Sequence, residues 1–190
     1  MSNYEISKFK KNNIDIVIFW KENKPNGIFS EWHQTEFYSK NNKFINIKQW
    51  MAFRKAVIFD DKESRDKILL AKEPATIIFL SRNVKNFDKE TWNNIKYNEL
   101  EEGNYLKFKQ NNCERFALYD TGDSIIIYAN PYNESLGIGM SDTEVMQLSK
   151  SVLKNMLYYS SKCTSSNLLG KSLMAVRHRL RHENYLDNDY

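Results

Sequence analysis

A chain of 190 residues, of which 41% are hydrophobic and 14% aromatic, has the size and composition of one folded domain, which excludes a wholly disordered protein. Its formal charge of +4 is spread along the chain, so it neither requires nor excludes a nucleic acid or a phosphate-bearing partner. No apolar run reaches the roughly 18–20 residues of a membrane span. The two cysteines fit free thiols in a reducing compartment, so we expect a cytoplasmic protein that makes no use of membranes.

The first half of the chain predicts a strand, a hairpin and two helices. The apolar, β-branched run 14–20 predicts a strand, and residues 37–45, interrupted by a polar turn, predict a hairpin. From Ile47 the apolar residues recur at helical spacing and predict an amphipathic helix that stops just before Asp61. Asp61 can cap a second helix, which we expect to be ended by Pro74.

The third quarter predicts further helices and the second clear strand. We expect Asp88 to cap a helix that runs to about Gly103, with residues 105–111 continuing as a short helix. Three consecutive isoleucines within residues 124–129 predict a strand that is buried on both faces.

The last quarter predicts two more helices. Ser141 and Glu144 have the spacing of a capping box, and the apolar residues that follow predict a long helix reaching about Leu157. A last helix is expected over residues 166–181.

These elements predict a single α+β domain that is mostly helical and contains a small β-sheet. We place the domain at residues 14–182, preceded by an N-terminal extension at 1–13 and followed by a polar, flexible tail at 183–190.

Two predicted loops have the composition of phosphate-binding segments. The loop 130–139 follows a buried strand and contains Gly137 and Gly139, which let a backbone approach a ligand and turn N–H groups toward phosphate oxygens. Arg82 lies in the predicted loop 81–84, where a guanidinium can hold phosphate with two hydrogen bonds. Each loop alone is more often an ordinary turn.

Short motifs follow one another in a fixed order along residues 16–180. They are Phe19-Trp20, Phe29-Ser30-Glu31-Trp32, Gln49 and Met51 with Lys55-Ala56, Pro74 with Leu80 to Val84, Trp92, Asn104 to Asn111, Gly137 to Gly139, Asn167 to Gly170 and Leu173 to Arg177. In this order they resemble the motifs of the NADAR (YbiA-like) superfamily, in which the second motif is F-S-N-W. The shared order over nearly the whole chain makes the resemblance specific.

The resemblance implies an α+β fold and a pocket for ADP-ribose, NAD or a related nucleotide N-glycoside. The superfamily is similar to enzymes that release ADP-ribose from guanine bases or cleave phosphorylated riboflavin-pathway intermediates, without a metal or other cofactor. The expected partner is an ADP-ribose-like small molecule or an ADP-ribosylated nucleobase, with nucleic acid as a further candidate. The motifs imply these ligand-binding residues: Phe19, Trp20, Ser30, Lys48, Lys55, Arg82, Lys107, Tyr128, Asn133, Gly137, Gly139 and Asn167.

Four positions depart from the pattern of the superfamily. Lys48 replaces an acidic residue in the first helix, Tyr128 replaces a glutamate at the end of the second strand, Asn133 replaces an aspartate, and Leu136 replaces a tryptophan. An N-glycosidase needs a carboxylate near the ribose and an acid for the departing nitrogen, so these changes predict weakened catalysis. The remaining cations, with fewer carboxylates around them, still favour an anionic ligand.

Three functions fit these observations. The preferred one is binding of the nucleotide ligand with little or no hydrolysis, as a sensor or a sponge. The alternative is an active N-glycosidase with rearranged catalytic residues, the candidates being Lys48, Lys55 and Glu134, with Glu31 or Asp123 as other replacement acids. Either lysine can also act as an amine nucleophile on a ring-opened ribose. The third is a structural or protein-interaction role in which the pocket is vestigial.

Overall fold

The computed structural model describes residues 4–11, 13–149, 151–153 and 167–188, of which 184–188 are described by their backbone alone. The strands are β1 (Phe9–Lys11), β2 (Ile14–Phe19), β3 (Phe37–Ser39), β4 (Asn42–Phe44) and β5 (Ile125–Tyr128). The helices are α1 (Ile47–Ile58), α2 (Lys62–Leu70), α3 (Pro74–Arg82), α4 (Lys89–Gln110), α5 (Asn112–Asp120), α6 (Asp142–Val145) and α7 (Leu168–Asn188), with a 3₁₀ turn at Gly27–Phe29. This is the predicted mostly helical α+β fold with a small sheet.

The main sheet has the strand order β1–β2–β5. β2 runs antiparallel to β1 and parallel to β5, so that Ile16 lies beside Ile125 and Phe19 beside Tyr128. The helices α1 to α5 form the crossover that a parallel pair requires. All four residues of β5 are buried, which confirms the prediction of a strand covered on both faces. β1 comes from the predicted N-terminal extension, which therefore contributes an edge strand to the sheet.

The two faces of the sheet bury separate sets of side chains. One face packs against the large helical layer formed by α1, α4 and α7. The opposite face covers a smaller apolar cluster around α6. The residues of β2 and β5 on the first face are Val17, Phe19, Ile126 and Tyr128, and those on the second are Ile16, Ile18, Ile125 and Ile127.

The local signals for helix starts are confirmed. Asp61 accepts a hydrogen bond from the backbone N–H of Ser64 at the start of α2, and Asp88 does the same for Thr91 at the start of α4. The capping box at Ser141 is also formed, and it begins α6. The predicted hairpin is present as β3 and β4, and α1 occupies the predicted range.

Several predicted helix ends are wrong. α4 continues through Gly103 to Gln110 as one helix, so residues 105–111 do not form a separate element. The helix begun at the capping box ends at Val145, although residues 151–153 of its predicted range are helical again. Residue 150 and the part of that range beyond residue 153 lie outside the described residues. The last helix continues to Asn188, into the segment predicted to be a flexible tail.

Two helices of the structure, α3 and α5, were not predicted from the sequence. Pro74 follows the end of α2 at Leu70 and occupies the first turn of α3, where proline has no N–H to leave unsatisfied. The expected loop around Arg82 is therefore the last turn of this helix. α5 follows α4 after a single residue, Asn111, in a segment for which the sequence analysis made no prediction.

We expect Gly103→Ala to lower the free energy of unfolding by about 1–3 kcal/mol, although alanine is the better helix former by about 1 kcal/mol. A Cβ at Gly103 would lie 2.4 Å from Cδ1 of Trp50, which is buried and whose Nε1 donates to the carbonyl of Glu99. Urea unfolding measures the change. Asn98→Ala, at an exposed position of the same helix, is the matched control and should have little effect. A more stable Gly103→Ala variant would contradict this packing.

Candidate functional site

A cavity of about 360 Å³ opens beside the first turns of α1 and α4. Its wall is completed by the end of α3, the segment before α4, the loop after β5 and the turn that follows the 3₁₀ helix. Of the predicted ligand-binding or catalytic residues, Lys48 and Lys55 line this cavity, and so does Glu31.

Glu31 is the acidic residue that lines the cavity. Only 3% of its surface is exposed, and its carboxylate lies 3.3 Å from the Nζ of Lys48. The backbone N–H of Lys48, in the first turn of α1, donates to the carbonyl oxygen of Glu31 at 3.0 Å. Ser30 tightens the same turn, because its Oγ accepts from the backbone N–H of Trp32. In the superfamily pattern, position 48 is itself an acid. In this chain position 48 is a lysine, and it contacts the carboxylate of Glu31 instead.

Tyr128 lies beside this ion pair at the end of β5. Its ring is buried and stacks on Phe19, with centroids 5.0 Å apart and planes 12° apart. Its hydroxyl accepts a hydrogen bond from Nδ2 of Asn130 at 2.9 Å. Burial, reinforced by the neighbouring carboxylate of Glu31, raises the pKa of Tyr128 above its usual range. The phenol is therefore protonated at neutral pH.

Lysines dominate the charge of the cavity. Nζ of Lys55 donates to the carbonyl of Ser81 at 2.8 Å and lies 3.8 Å from the ring centroid of Phe87. Burial, with the nearby charge of Lys48, lowers the pKa of Lys55 from its ordinary value. Such a half-buried ammonium gives up its proton more readily than a solvated lysine.

The helix α4 adds two more lysines to the opposite wall. Nζ of Lys96 donates to Oγ of Ser135 and to Oδ1 of Asn93, both at 2.8 Å, and Lys89 lies two turns earlier. Burial, with the nearby charge of Lys89, lowers the pKa of Lys96. The sequence prediction missed both lysines, although they share one face of α4 with Trp92 and this spacing was visible in the sequence.

The apolar surface of the cavity comes from Trp92, Phe87, Met51 and Leu136. Leu136 occupies the position where the superfamily pattern has tryptophan. The two rings from the segment 87–92 therefore supply the aromatic surface that a nucleobase or ribose can pack against.

Two predicted cations do not join this cavity. Arg82 is exposed at the end of α3 and is absent from its lining. Lys107 is fully buried deeper in α4, where its Nζ donates to the carbonyl of Ile28 at 3.2 Å. Burial lowers the pKa of Lys107 to about 7. The cations that line the cavity are thus Lys48, Lys55, Lys89 and Lys96, and neither Arg82 nor Lys107 joins Lys48 in its lining.

Phe19 and Trp20 line a second cavity, of about 400 Å³, whose wall is mostly apolar and includes Phe9 and Met146. The predicted aromatic residues and the predicted lysines therefore do not meet in one pocket. Trp20 lies 6.2 Å from the ring of Tyr132, in the loop that follows β5.

The predicted glycines and amides shape the loop after β5 and the contact of β5 with the start of α7. Asn133 accepts hydrogen bonds from Leu136 and Gly137, so the N–H of Gly137 is directed to a backbone carbonyl and not to a ligand. Gly139 has a φ of 66°, which explains its need for glycine. Asn167, fully buried, accepts from the N–H of Tyr128 and donates to the carbonyl of Ile126. Its role is to hold β5 against α7.

The other acidic candidates lie away from the cavity lining. Glu134 is exposed in the loop after β5. Asp123 binds Arg181 at 2.8 Å near the start of β5, at the end of the strand opposite to Tyr128. Among the described residues, no three His, Cys, Asp or Glu side chains come together as metal ligands. In the same part of the chain, no helix is long and apolar enough to cross a membrane.

Comparison with known proteins agrees with this fold. An N-glycosidase of Acanthamoeba polyphaga mimivirus is 31% identical over 155 residues, which cover 79% of this chain and 85% of the relative. The NMR structure of the E. coli protein YbiA superposes with a TM-score of 0.69 at 17% identity, covering 90% of this chain and 87% of that one. The profile of the NADAR domain matches residues 18–181. The chain therefore belongs to the NADAR domain family.

Proposed function

We propose that the cavity binds a phosphate-bearing N-ribosyl compound, such as ADP-ribose attached to a base, and hydrolyses its N-glycosidic bond. The observation that carries this proposal is the buried carboxylate of Glu31 in a cavity whose other charged lining residues are lysines. The sequence analysis expected weak chemistry because carboxylates are missing at positions 48, 128 and 133. Glu31 supplies one from a neighbouring turn, and the mimivirus relative is an N-glycosidase.

In this proposal Glu31 acts on the ribose and Lys55 acts on the base. As the bond between the ribose carbon and the base nitrogen breaks, the Glu31 carboxylate stabilises the positive charge on the ribose and accepts a proton from the attacking water. The resulting hydroxide bonds to the ribose carbon that the base has left, which gives the free ribose product. Lys55, whose pKa is lowered by burial, gives its proton to the departing nitrogen and recovers one from Glu31.

The lysines on α4 fit the phosphate groups of the same ligand. Lys89 and Lys96 lie on the wall contributed by α4, whereas Glu31 lies on the turn beside α1. This arrangement separates a cationic end of the cavity, suited to phosphate, from the end that holds the carboxylate. A nucleotide bound with its ribose near Glu31 can place its phosphate groups near the lysines of α4.

Binding without hydrolysis is the second candidate, and the ion pair favours it. Lys48 lies within 3.4 Å of both oxygens of Glu31 and lines the same cavity. If this ion pair persists with ligand bound, the carboxylate is neutralised and the protein is a sensor or sponge. The structural role without a ligand is disfavoured by the inward-lying lysines, which a vestigial pocket does not need.

Calorimetry followed by chromatography of the same mixtures distinguishes these functions. ADP-ribose, NAD and a DNA oligonucleotide carrying ADP-ribosylated guanine are titrated into the full chain, and the mixtures are then analysed for free base. Binding with release of the base supports the glycosidase. Binding with every compound recovered intact supports the sensor or sponge, and no binding of any of the three removes both.

We expect Lys96→Gln to weaken ADP-ribose binding by about 10- to 100-fold, because a hydrogen bond to a charged group contributes about 1.5–3 kcal/mol. Arg82→Gln removes the same charge from an exposed position outside the cavity lining and is the matched control. Calorimetry of both variants measures the effect. An equal loss of affinity in Arg82→Gln would place the phosphate site at the end of α3 instead.

A further inference from the structure

The cavity of about 400 Å³ that Phe19 and Trp20 line has no task in the proposed function. It shares no lining residue with the cavity around Glu31. It lies at the carboxyl ends of the parallel strands, since Phe19 is the last residue of β2 and Ala129, also in the lining, follows β5. Ligands of open sheets with parallel strands bind outside these ends. The position therefore favours a second ligand site that is separate from the first.

Aromatic and apolar side chains form most of the wall of this second cavity. Trp20 is half-buried, and Phe9 is 43% exposed on the edge strand β1. Met146 adds a thioether to the apolar surface, and thioethers contact rings favourably. A flat ring that stacks on an exposed aromatic side chain buries its surface efficiently. The wall therefore suits a planar ligand.

Three polar residues, Lys24, Asp142 and Thr143, also line the cavity. One carboxylate oxygen of Asp142 accepts from the backbone N–H of Thr143 at 2.8 Å. Within the described residues no group donates to its other oxygen, which is therefore open to the amino group of a ligand. Lys24 is exposed, and the Nζ of Lys21 lies 4.6 Å from the ring centroid of Trp20. These two ammonium groups suit the phosphate of a ligand whose ring lies against Trp20.

We propose that this cavity is a second binding site, which takes a purine base that carries an amino group. The two fused rings of a purine match the indole of Trp20 in area, and the amino group donates to Asp142. An aliphatic ligand would leave this carboxylate without a donor. A free nucleotide and a base in a nucleic-acid strand offer the same chemistry. The proposal does not depend on hydrolysis in the first cavity, so either can fail alone.

Fluorine NMR of the full chain labelled with 5-fluorotryptophan locates the site. The resonances lost in Trp20→Phe and Trp92→Phe identify the reporters of the second and the first cavity. We expect adenosine to shift the Trp20 resonance, and n-hexanol at the same concentration to leave it in place. A Trp20 resonance that adenosine does not move, or that n-hexanol moves equally, overturns the proposal.

Purine riboside, which lacks the amino group of adenosine, tests the contact with Asp142. In the wild type we expect adenosine to bind about 10-fold more tightly than purine riboside, because hydrogen bonds to charged acceptors are among the stronger ones. Asp142→Asn should weaken adenosine binding about 5- to 10-fold and leave purine riboside within about twofold, since the amide is a neutral acceptor. Asp15→Asn, at an exposed position outside the lining, is the matched control. An equal effect of Asp142→Asn on both nucleosides, or none, overturns the recognition of the amino group.

Tyr132 distinguishes the two sources of the base. Its side chain is 88% exposed and its ring centroid lies 6.2 Å from that of Trp20, so it can stack on a neighbouring base of a strand. If the site serves a strand, tetradeoxyadenylate binds more tightly than AMP and loses that gain in Tyr132→Ala. Equal affinities in the wild type identify the free nucleotide as the ligand. Binding of neither AMP nor the oligonucleotide contradicts the proposal.

Discussion

Glu31→Gln is expected to lower kcat/KM for N-glycoside cleavage by about 10²- to 10⁴-fold, the range typical of a residue that moves a proton in the transition state. The amide keeps the size of the side chain and can still accept a hydrogen bond from Lys48, so the turn should remain folded. What it loses is the negative charge that stabilises a cation-like ribose and the basicity that activates water. The rate of base release, measured by chromatography, reports this loss.

The same variant should bind ADP-ribose at least as tightly as the wild type. Removing a buried carboxylate from a cavity that accepts phosphates removes a repulsion, and it frees Lys48 to contact the ligand. Loss of turnover with retained affinity is the signature of a group needed in the transition state and not in the ground state.

Glu134→Gln is the matched control, because Glu134 was the leading candidate acid in the sequence and is exposed in the structure. We expect its kcat/KM to equal that of the wild type. If Glu134→Gln loses as much activity as Glu31→Gln, the loop after β5 carries the chemistry. If neither variant changes the turnover, Glu31 is not the acting carboxylate.

The parts of the fold that depend on near neighbours in sequence were predictable. A cap such as Asp61 or Asp88 is satisfied by a backbone N–H three residues away, so its signal is complete within one turn. The end of α4 was not predictable in this way. Gly103 has the local signature of a helix end, but its lack of a side chain serves Trp50, which lies on a different helix.

The types of residue in the site could be predicted from the sequence, but not which of them come together in one cavity. The sequence favoured Glu134 over Glu31 as the candidate acid, whereas the packing of the turn against α1 buries Glu31 in the cavity. Lys107 matched a family motif, but it lies eleven residues beyond Lys96 on α4, or about 16 Å along the helix axis. A motif identifies a lysine without showing which cavity, if any, its amine enters.

The buried position of Lys107 predicts that its removal changes how stability depends on pH. In the folded protein burial lowers its pKa to about 7, from the ordinary value of 10.5, although the charge of Glu114 opposes this shift. Above pH 7 the unfolded chain therefore holds a proton that the folded chain has released. Since stability rises with pH wherever the unfolded state binds more protons, wild-type stability should increase from pH 7 to 9 by on the order of 2 kcal/mol.

Lys107→Met should abolish this increase, because methionine fills a similar space and does not titrate. Effects of the substitution that do not depend on pH cancel when the free energy of unfolding of the variant at pH 7 is compared with its value at pH 9. These include the lost hydrogen bond to Ile28 and the changed surroundings of Glu114, whose pKa the neighbouring His33 and Thr35 also help to lower to about 2. Urea unfolding at a series of pH values provides the measurement, and Lys72→Met, at an exposed position, is the control that keeps the wild-type slope.

The affinity for ADP-ribose provides a second test of the role of Lys107. A lysine that only supports the turn below the cavity should leave the dissociation constant for ADP-ribose within about threefold when it is replaced, as long as the variant is folded. If the free energy of unfolding depends on pH in the same way in the wild type and in Lys107→Met, the amine of Lys107 is solvated in the folded state. Together with a large loss of affinity, this result would return Lys107 to the ligand-binding set and require the turn at Ile28 to open when ligand binds.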